Sequence, residues 1–303
     1  MLLDAASMYF RAYYGVPDSV RAPDGMPVNA VRGFLDAVST LITRYSPTHL
    51  VAVFDADWRP QFRVDLLPSY KAHRVAADGD EEVPDTLSPQ VPVLCDVLDA
   101  IGIARTELAG YEADDVIGTL ATLATIPVDV VTGDRDLFQL VDDERGVRVL
   151  YTAKGFGKLE EVDDAVVLAK YGVPARLYAD FAALRGDPSD GLPGVPGVGE
   201  KSAAAVVNEV GSIENVVVAL DDPQAPLPFR GKLARAREYL AVAPDVVRVQ
   251  RRLDLPAVDD ALPTPPGLPR DLERTASLAQ RFGLTSSVER LVTACASLGR
   301  ATG

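Results

Sequence analysis

Short apolar runs recur in the first half of the chain, and each of them gives way to acidic residues. Residues 1–5 carry Asp4 near their end, residues 48–54 are followed by Asp55, and residues 128–131 lead into an acidic turn. Such runs are typical of strands in a parallel sheet that is covered on both faces. Because the carboxyl ends of parallel strands lie along one edge of the sheet, we expect these acids to lie near one another.

Between these runs the apolar positions follow the period of a helix. Residues 7–16 predict a helix with four aromatic side chains, which we assign to the core in preference to a ligand-stacking surface. Residues 89–103 predict an amphipathic helix, and residues 111–116 open another with three acids in four positions. Residues 147–151 predict an edge strand. Strands that alternate with helices indicate the α/β class.

The pattern changes after about residue 175, where Ala-rich helical segments replace the strands. We therefore predict two domains. The first is an α/β core over residues 1–175. The second is an all-helical domain over residues 176–303, which ends in a helical pair at 271–298.

Composition narrows the class of protein. The 303 residues are 48% hydrophobic and 24% charged, as in ordinary globular proteins. No apolar run reaches the roughly 18 residues that span a bilayer, and the N-terminus lacks the basic stretch of a signal peptide. Cys95 and Cys295 are far apart in apolar surroundings, so we expect free, buried thiols and a cytoplasmic protein. Two histidines, His49 and His73, argue against a zinc centre.

The net charge of −14 argues against nucleic acid as a partner, but the distribution of charge weakens this objection. Many of the acids follow strands, where bound divalent ions would reverse the local sign. Residues 230–252 carry seven basic residues against two acidic ones, which suits phosphate neutralisation. On charge alone, a solvated helical face explains that segment equally well.

Nine acids end the predicted elements on what a parallel sheet makes one edge. They are Asp4, Asp55, Glu112, Asp114, Asp115, Asp134, Asp136, Asp187 and Asp190. So many carboxylates repel one another unless cations neutralise them. A ligand set of oxygens alone suits Mg²⁺ or Mn²⁺, and two such ions are the standard apparatus for phosphodiester hydrolysis.

Cationic residues precede an acidic run within residues 59–90. Lys71 and Arg74 are three apart and are expected to share a helix face, and Arg63 lies one segment earlier. We predict that these three act on a phosphate held beside the acids, although an ordinary solvated helix fits the segment as well. Residues 78–85, DGDEEVPD, predict a flexible surface loop.

Residues 192–203, LPGVPGVGEKSA, have the pattern of a helix–hairpin–helix DNA-binding element, which we place at about 190–211. Glycines let the backbone approach a phosphate, and the amides at the start of the next helix point at it. Contact with the backbone of a duplex carries no sequence specificity. The DNA contacts that we predict are Tyr70, Gly194, Val195, Gly197, Gly199, Lys201 and Ser202.

Six motifs together resemble the bacterial 5′ nuclease or flap endonuclease family, which also forms the N-terminal domain of bacterial DNA polymerase I. They are FDAD, FR, YKAHR, YEADDV, TGDRDLFQL and GDPSDGLPGVPGVGEKSA, in this order along the chain. The resemblance runs from Asp4 to about Arg252. It implies a PIN/FEN-like parallel-sheet nuclease core with a helical arch at about residues 59–90, followed by an all-helical domain that contains the helix–hairpin–helix.

The resemblance also implies a function. We expect a structure-specific, sequence-independent 5′-3′ exonuclease and flap endonuclease of DNA replication and repair, acting on 5′ flaps, nicks and gaps. It implies two or more Mg²⁺ or Mn²⁺ ions on the nine acids, some bound through water, and K⁺ at the helix–hairpin–helix. It implies that Lys71 and Arg74 contact the scissile phosphate. We expect a monomer with no polymerase attached, and an acidic arch that would repel a single strand.

Two other functions are compatible with parts of the sequence. Asp55 in FDAD could be the nucleophile of a phosphatase, but that leaves the helix–hairpin–helix pattern without a role. The chain could instead be a DNA-binding protein whose nuclease centre no longer works. A phosphatase would release phosphate from small monoesters, whereas an inactive relative would hold flap DNA with Mg²⁺ and leave it uncut.

Overall fold

A six-stranded sheet forms the centre of the protein in the computed structural model, which describes residues 1–77, 79, 81–255 and 265–298. The strand order is β3-β2-β1-β4-β5-β6. Strands β1 to β5 are parallel, and β6 runs antiparallel to β5. The strands are β1 Leu2–Asp4, β2 Val51–Val53, β3 Ala104–Thr106, β4 Val128–Thr132, β5 Val147–Tyr151 and β6 Glu160–Val162.

This strand order creates a topological switch between β1 and β4. The chain builds outward from β1 through β2 to β3, and then returns to the other side of β1 to start β4. In such sheets ligands bind in the crevice beyond the carboxyl ends of the two strands at the switch. Here those ends are Asp4 and Thr132, so the crevice in which a ligand is expected lies beside the predicted acids.

Thirteen α-helices surround the sheet within the described residues. They are α1 Ala5–Gly15, α2 Asn29–Tyr45, α3 Gln61–Leu66, α4 Gln90–Ile101, α5 Ala113–Leu123, α6 Asp164–Tyr171, α7 Tyr178–Arg185, α8 Glu200–Val210, α9 Ile213–Asp221, α10 Arg230–Arg235, α11 Arg237–Val247, α12 Leu272–Arg281 and α13 Thr285–Leu298. Helix α1 starts directly at the end of β1, where the Asp4 carboxylate caps it by accepting the Ser7 amide at 3.0 Å.

The two faces of the sheet support two hydrophobic cores. Successive residues of a strand point to opposite faces, so Leu2 and Val130 enter one core and Leu3 and Val131 the other. The first core includes α5 and the helices α7, α8, α9 and α11. The second includes α2, α4, α12 and α13. The last two helices therefore pack on the far side of the sheet from α7 to α11, and the predicted domain of 176–303 contains two spatially separate parts.

All four predicted strands are present, but the prediction of an edge strand was wrong. Segment 147–151 is an interior strand, because β5 pairs with both β4 and β6. Strands β3 and β6 were not predicted: each has only three residues and lacks an apolar run. The strand predicted at 48–54 is shortened to Val51–Val53.

The arch segment differs from the predicted helical arch. It contains the six-residue helix α3 and a single 3₁₀ turn at Ala72–Arg74, and the described residues between Arg74 and Gln90 form no helix. Lys71 stands outside that turn with φ of +48°, so Lys71 and Arg74 do not share a helix face as predicted. The acidic, Pro-containing composition that predicted a loop at 78–85 also explains why no helix extends through it.

The aromatic side chains of α1 mostly lie outside the core, contrary to prediction. The buried residues of this helix are Ala5, Met8 and Ala12, and Tyr14 is 73% exposed. Cys95 and Cys295 are free thiols, as expected, although only Cys295 is fully buried. In the described part of the chain no single helix is long and apolar enough to cross a membrane. Helices α8 and α9 reach that length and apolarity only as a pair bent by 75°.

Candidate active site at the carboxyl edge of the sheet

A cavity of about 470 Å³ lies at the topological switch, and six of the nine predicted acids line it. Lys71 and Arg74 line the same cavity, together with the aromatic side chains of Phe10, Trp58 and Tyr151. The six acids are Asp4, Asp55, Glu112, Asp114, Asp134 and Asp187. A concave site with convergent charged groups is where catalysis is expected.

A relay of hydrogen bonds fixes the acids at the ends of β1 and β4. Thr132 donates its hydroxyl to Asp4 Oδ2 at 2.6 Å, and the Asp134 amide donates to the same hydroxyl at 2.8 Å. The Asp136 amide then donates to Asp134 Oδ1 at 2.8 Å. Each carboxylate is thus oriented by the backbone of the strand ends, which explains why the TGDRD sequence directly follows a buried strand.

Glu112 collects three side chains from the arch segment. It accepts from the Tyr70 hydroxyl at 2.8 Å and from Arg63 Nη1 at 2.6 Å, and its other oxygen bonds to the Lys71 ammonium. Glu112 precedes α5 and is 4% exposed, so this charge is held at the base of the cavity. Burial alone would lower the pKa of Lys71, but the adjacent Glu112 carboxylate outweighs it and holds that pKa well above its ordinary value.

The carboxylates of the cavity are electrostatically unfavourable as a group. Burial raises the pKa of Asp4 to about 7, with further contributions from Asp55 and Asp134. Burial also raises the pKa of Asp55, and it raises the pKa of Asp114 well above its ordinary range, assisted by Asp134 and Asp4. Raised pKa values of this origin mark sites that require cations.

Asp115 and Arg63 occupy positions different from those predicted for a metal ligand and a phosphate-binding cation. Arg63 donates both terminal nitrogens to Asp115 at 2.7 Å each, and its Nε donates to the Val246 carbonyl at 2.9 Å. The Gln250 amide also donates to Asp115, at 2.9 Å. Arg63 is 2% exposed, so it does not contact a phosphate in this arrangement. Its prediction as a catalytic residue is corrected to that of a residue that positions Glu112 and Asp115.

The remaining predicted acids lie at the edge of the cavity or behind it. Asp187 accepts from Arg185 at 3.3 Å and from Arg135 at 3.5 Å, and it also accepts the Ser189 amide at 2.9 Å. Asp190 pairs with Arg74 at 3.1 Å. Asp136 is buried behind Asp134, and burial together with Asp134 raises its pKa well above the ordinary value.

The donor set fits hard divalent cations. It consists of carboxylate oxygens in a polar cavity, and such donors suit Mg²⁺ or Mn²⁺. Within the described residues no three Asp, Glu, His or Cys side chains already converge as a ready-made metal site. Arg63, Lys71 and Arg74 neutralise Glu112, Asp115 and Asp190 in the present arrangement. The raised pKa values of the carboxylates without such partners are the observation that supports a cation in the cavity.

The predicted DNA contacts separate into exposed and buried residues. Gly197, Gly199 and Lys201 are exposed around the start of α8, and Ser202 is half-buried there. Gly194 and Val195 are buried, because the Val195 amide donates to the Leu184 carbonyl at 2.9 Å and the turn packs tightly against α7. These two residues shape the turn and do not present atoms to DNA.

The prediction that Tyr70 contacts DNA is also corrected. It is 5% exposed, and its ring packs in the core beside its bond to Glu112, so it does not offer a surface to DNA.

Several residues of the site were not predicted from the sequence. Thr132 bridges Asp4 and Asp134, and its position at the end of a strand in TGDRD was the available signal. Lys232 donates to the Gly197 carbonyl at 2.7 Å, which links the basic segment to the glycine turn. Glu81 of the acidic run lines the cavity itself. Phe10 and Trp58 line it too, and no sequence pattern distinguished them from core aromatics.

A larger cavity of about 660 Å³ lies elsewhere, near the start of β5 and the end of α5. Asp142, Asp143, Glu144, Arg145 and Arg251 are among its lining residues, so it mixes both signs of charge. It contains none of the predicted site residues, and its size alone does not make it an active site.

Two family descriptions match consecutive parts of the chain. Residues 1–172 match the 5′-3′ exonuclease N-terminal resolvase-like domain, and residues 173–267 match the 5′-3′ exonuclease C-terminal SAM fold.

Proteins of known name are similar over most of the chain. A 5′-3′ exonuclease of Streptomyces coelicolor is 61% identical over 300 residues, which cover 97% of this chain and 99% of that protein. DNA polymerase I of Mycobacterium bovis is 43% identical over 267 residues, which cover 82% of this chain and 28% of the polymerase.

Solved structures share the fold at low sequence identity. A bacteriophage T5 D15 flap endonuclease complex with DNA and metal ions is 16% identical, with a TM-score of 0.63 and coverage of 99% of this chain and 98% of that chain. The catalytic core of Rad2 in complex with a DNA substrate is 18% identical, with a TM-score of 0.58 and coverage of 97% and 90%.

The raised pKa of Asp4 gives a prediction for the metal-free protein. The pKa of this carboxyl is 3.8 in the unfolded chain and about 7 in the folded chain. Its stabilising contribution is therefore complete below pH 3.8 and is lost as the pH rises through about 7. Between about pH 6 and about pH 8 the free energy of unfolding should fall by about 1 kcal/mol through this group. The measurement is urea denaturation of the metal-free protein and of Asp4→Asn at both pH values.

The comparison with Asp4→Asn cancels the pH-dependent contributions of titrating groups elsewhere. One such group is the Met1 amino group, whose pKa is lowered by burial. The wild type should lose more stability than Asp4→Asn over this interval. Equal pH dependence of the two proteins would show that Asp4 does not titrate in the folded state as described. Saturating Mn²⁺ should remove the difference, because a bound cation keeps the carboxylate ionised.

Proposed function

The chain belongs to the 5′-3′ exonuclease family, and we propose that it cleaves DNA phosphodiesters at 5′ flaps, nicks and gaps, as a metal-dependent 5′-3′ exonuclease and flap endonuclease. It is a hydrolytic nuclease. One observation carries the finer proposal: six of the predicted acids, with Glu81, and the cations Lys71, Arg74 and Arg135 line a single cavity at the switch point of the sheet. Carboxylates suit the metals and the cations suit a phosphate, so the cavity has both halves of a phosphodiesterase site.

The proposed metals are Mg²⁺ or Mn²⁺, held by Asp4, Glu112, Asp114 and Asp134 on one side and by Asp187 on the other, with Asp55 beside them. Asp136 and Asp190 lie behind and would act through water. Bound there, two divalent ions would supply a water of lowered pKa and neutralise the departing oxygen. We assign Asp115 the role of holding Arg63 and not a metal, because Arg63 and the Gln250 amide already bond to its oxygens.

The reaction breaks one phosphorus–oxygen bond. A water attacks phosphorus, the bond to the 3′ oxygen breaks, and the products are a 5′-phosphate and a 3′-hydroxyl that receives a proton. Lys71 and Arg74 line the cavity with positive charge that would stabilise the charge developing on the phosphate oxygens. To do so, Lys71 must exchange Glu112 for phosphate, and Arg74 must exchange Asp190.

Arg63 holds the arch, the acids and the helical domain in one arrangement. It starts from α3, pairs with Glu112 and Asp115 at the beginning of α5, and donates to Val246 in α11. A buried charge held by two carboxylates and a carbonyl is costly to disturb. We therefore assign Arg63 to positioning: it fixes Glu112 relative to the helices that would grip the duplex.

The duplex would bind along α8, α10 and the turn between α7 and α8. Gly197 has φ of +76°, and Lys232 donates to its carbonyl, so the turn presents backbone amides and a cation to phosphates. This contact reads no bases, so binding is expected to be independent of sequence. We further propose a K⁺ ion at this helix–hairpin–helix, a monomeric enzyme, a cytoplasmic location and a role in replication and repair.

A labelled flap tests this function directly. A duplex with a 5′-end-labelled flap is incubated with Mg²⁺, Mn²⁺ or EDTA, and the products are sized at nucleotide resolution. The wild type should cut at or just inside the flap junction, and EDTA should abolish cutting. Asp134→Asn should slow cleavage at least about a hundredfold, because even changes behind a metal ligand cost up to that much. Its duplex binding should stay within about threefold of the wild type, since phosphate contacts elsewhere carry the affinity.

Asp129→Asn is the matched control, because Asp129 lies on the same strand at its other end and pairs with Arg148. It should cleave normally. Loss of duplex binding in Asp134→Asn would show that Asp134 holds DNA and not a metal. Metal-dependent binding of flap DNA by the wild type without any product would identify an inactive DNA-binding protein instead.

Gly197→Val tests the duplex contact. The substitution places a β-branched side chain at φ of +76°, where its Cβ would lie 3.2 Å from Lys232 Nζ. We expect the KM for flap DNA to rise about tenfold with little change in kcat, because loss of one or two phosphate contacts weakens ground-state binding. Steady-state kinetics at fixed salt measures both quantities.

Gly157→Val is the control for this substitution, since a Cβ at Gly157 meets no atom within 4 Å and its φ is not in the left-handed region. It should leave both constants unchanged. A fall in kcat for Gly197→Val with an unchanged KM would contradict the assignment of the turn to duplex binding.

A further inference from the structure

Glu81 and Glu82 of the acidic run pair with Val75 and Arg74 beside the candidate active site. Val75 and Glu81 form an antiparallel bridge, and the Glu82 amide donates to the Arg74 carbonyl at 2.7 Å. Two residues that lie six apart in the sequence are thereby paired beside Arg74. The same backbone that carries the Arg74 guanidinium thus fixes the position of Glu81.

The Glu81 side chain points into the cavity. It lines the cavity together with Lys71, Arg74, Asp55 and Glu112, and it is half-buried there. Its neighbours Glu82 and Asp85 are exposed, so Glu81 is distinguished from them by its orientation and not by its charge. An acidic loop alone would be a solvated feature, but one of its carboxylates inside the catalytic cavity is not.

The charges around Glu81 show what it faces. Burial raises the pKa of Glu81, the positive charges of Arg74 and Lys71 lower it, and Asp55 and Glu112 raise it again. Glu81 thus shares the cavity with the two cations assigned to the phosphate and with two acids assigned to the metal site. An anion in this cavity competes with a DNA phosphate for the attraction of Arg74 and Lys71.

We propose that Glu81 is a gate: its carboxylate stands at the place of the incoming phosphate and must swing out before a 5′ strand can enter the cavity. This inference rests on the function proposed above and adds a residue that selects which DNA ends reach the site. A strand that engages the rest of the enzyme can displace the Glu81 carboxylate, whereas a loosely held strand meets a like charge.

The attachment of the arch at both ends makes this motion local. On the N-terminal side of Glu81, the Lys71 amide donates to the Asp190 carbonyl at 2.9 Å. On its C-terminal side, Gln90 and Asn29 form a buried amide pair at 3.0 Å, and Gln90 also accepts the Ala30 amide at 2.8 Å. Both anchors lie outside residues 75–82, so an outward swing of the Glu81 carboxylate leaves them and the cavity acids in place.

Glu81→Gln tests the gate, and Glu82→Gln is its matched control. Both substitutions remove one negative charge from adjacent residues of the same hairpin, but only Glu81 faces the cavity. The KM and kcat for the 5′ flap substrate are measured over a series of Mg²⁺ concentrations. Binding of the same flap is measured with Ca²⁺ in place of Mg²⁺, as a readout that does not need cleavage. Circular dichroism confirms that both variants are folded.

We expect Glu81→Gln to lower the KM about fivefold and to tighten flap binding by a similar factor, while Glu82→Gln changes both less than about twofold. Equal effects of the two substitutions would overturn the gate, because the hairpin would then act only through its total charge. A lower kcat and a higher Mg²⁺ requirement in Glu81→Gln would also overturn it and would make Glu81 a metal ligand. A wild-type protein that binds flap DNA but does not cut it would refute the proposed nuclease function, while the binding comparison would still decide the gate.

Discussion

The mutual repulsion of buried carboxylates at the topological switch is the constraint on which the rest of this structure depends. Asp4 and Asp134 follow two adjacent strands, and Asp114 and Glu112 reach the same cavity from the start of α5. Burial and mutual proximity raise the pKa of Asp4 and of Asp114. A fold that only needed stability would not place these charges together, so we propose that the cluster receives cations.

Cationic side chains of the protein itself neutralise part of this negative charge and connect the site to its surroundings. Arg63 links the arch to α5 and α11, and Arg74 links the arch to Asp190. Gln139, which follows the β4 acids, also bonds to Val247 and Val249 beyond α11. Helix α11 is therefore hydrogen-bonded to residues that position the cavity acids, and we propose that this link relates the position of a bound duplex to the place where a strand is cut.

The placement of the acids at the edge of the sheet could be predicted because it depends on local rules. A buried strand followed by a polar turn places its carboxylates at the edge of a parallel sheet, and this holds for Asp4, Asp55 and Asp134. The burial of Arg63 and Tyr70 could not be predicted, since it depends on how the arch packs on α5 and α11. Strands β3 and β6 could not be predicted from the sequence, because pairing with neighbouring strands, and not the pattern of their own residues, makes them strands. The inward turn of Glu81 likewise depends on a bridge to Val75.

Anomalous X-ray diffraction from crystals grown with Mn²⁺ would test the central claim most directly. The account predicts manganese peaks inside the cavity, within coordination distance of carboxylates that follow β1 and β4, with Asp134 among the ligands and Asp115 still paired with Arg63. Absence of any manganese peak in the cavity at saturating Mn²⁺, with the carboxylates held only by Arg63, Lys71 and Arg74, would contradict it.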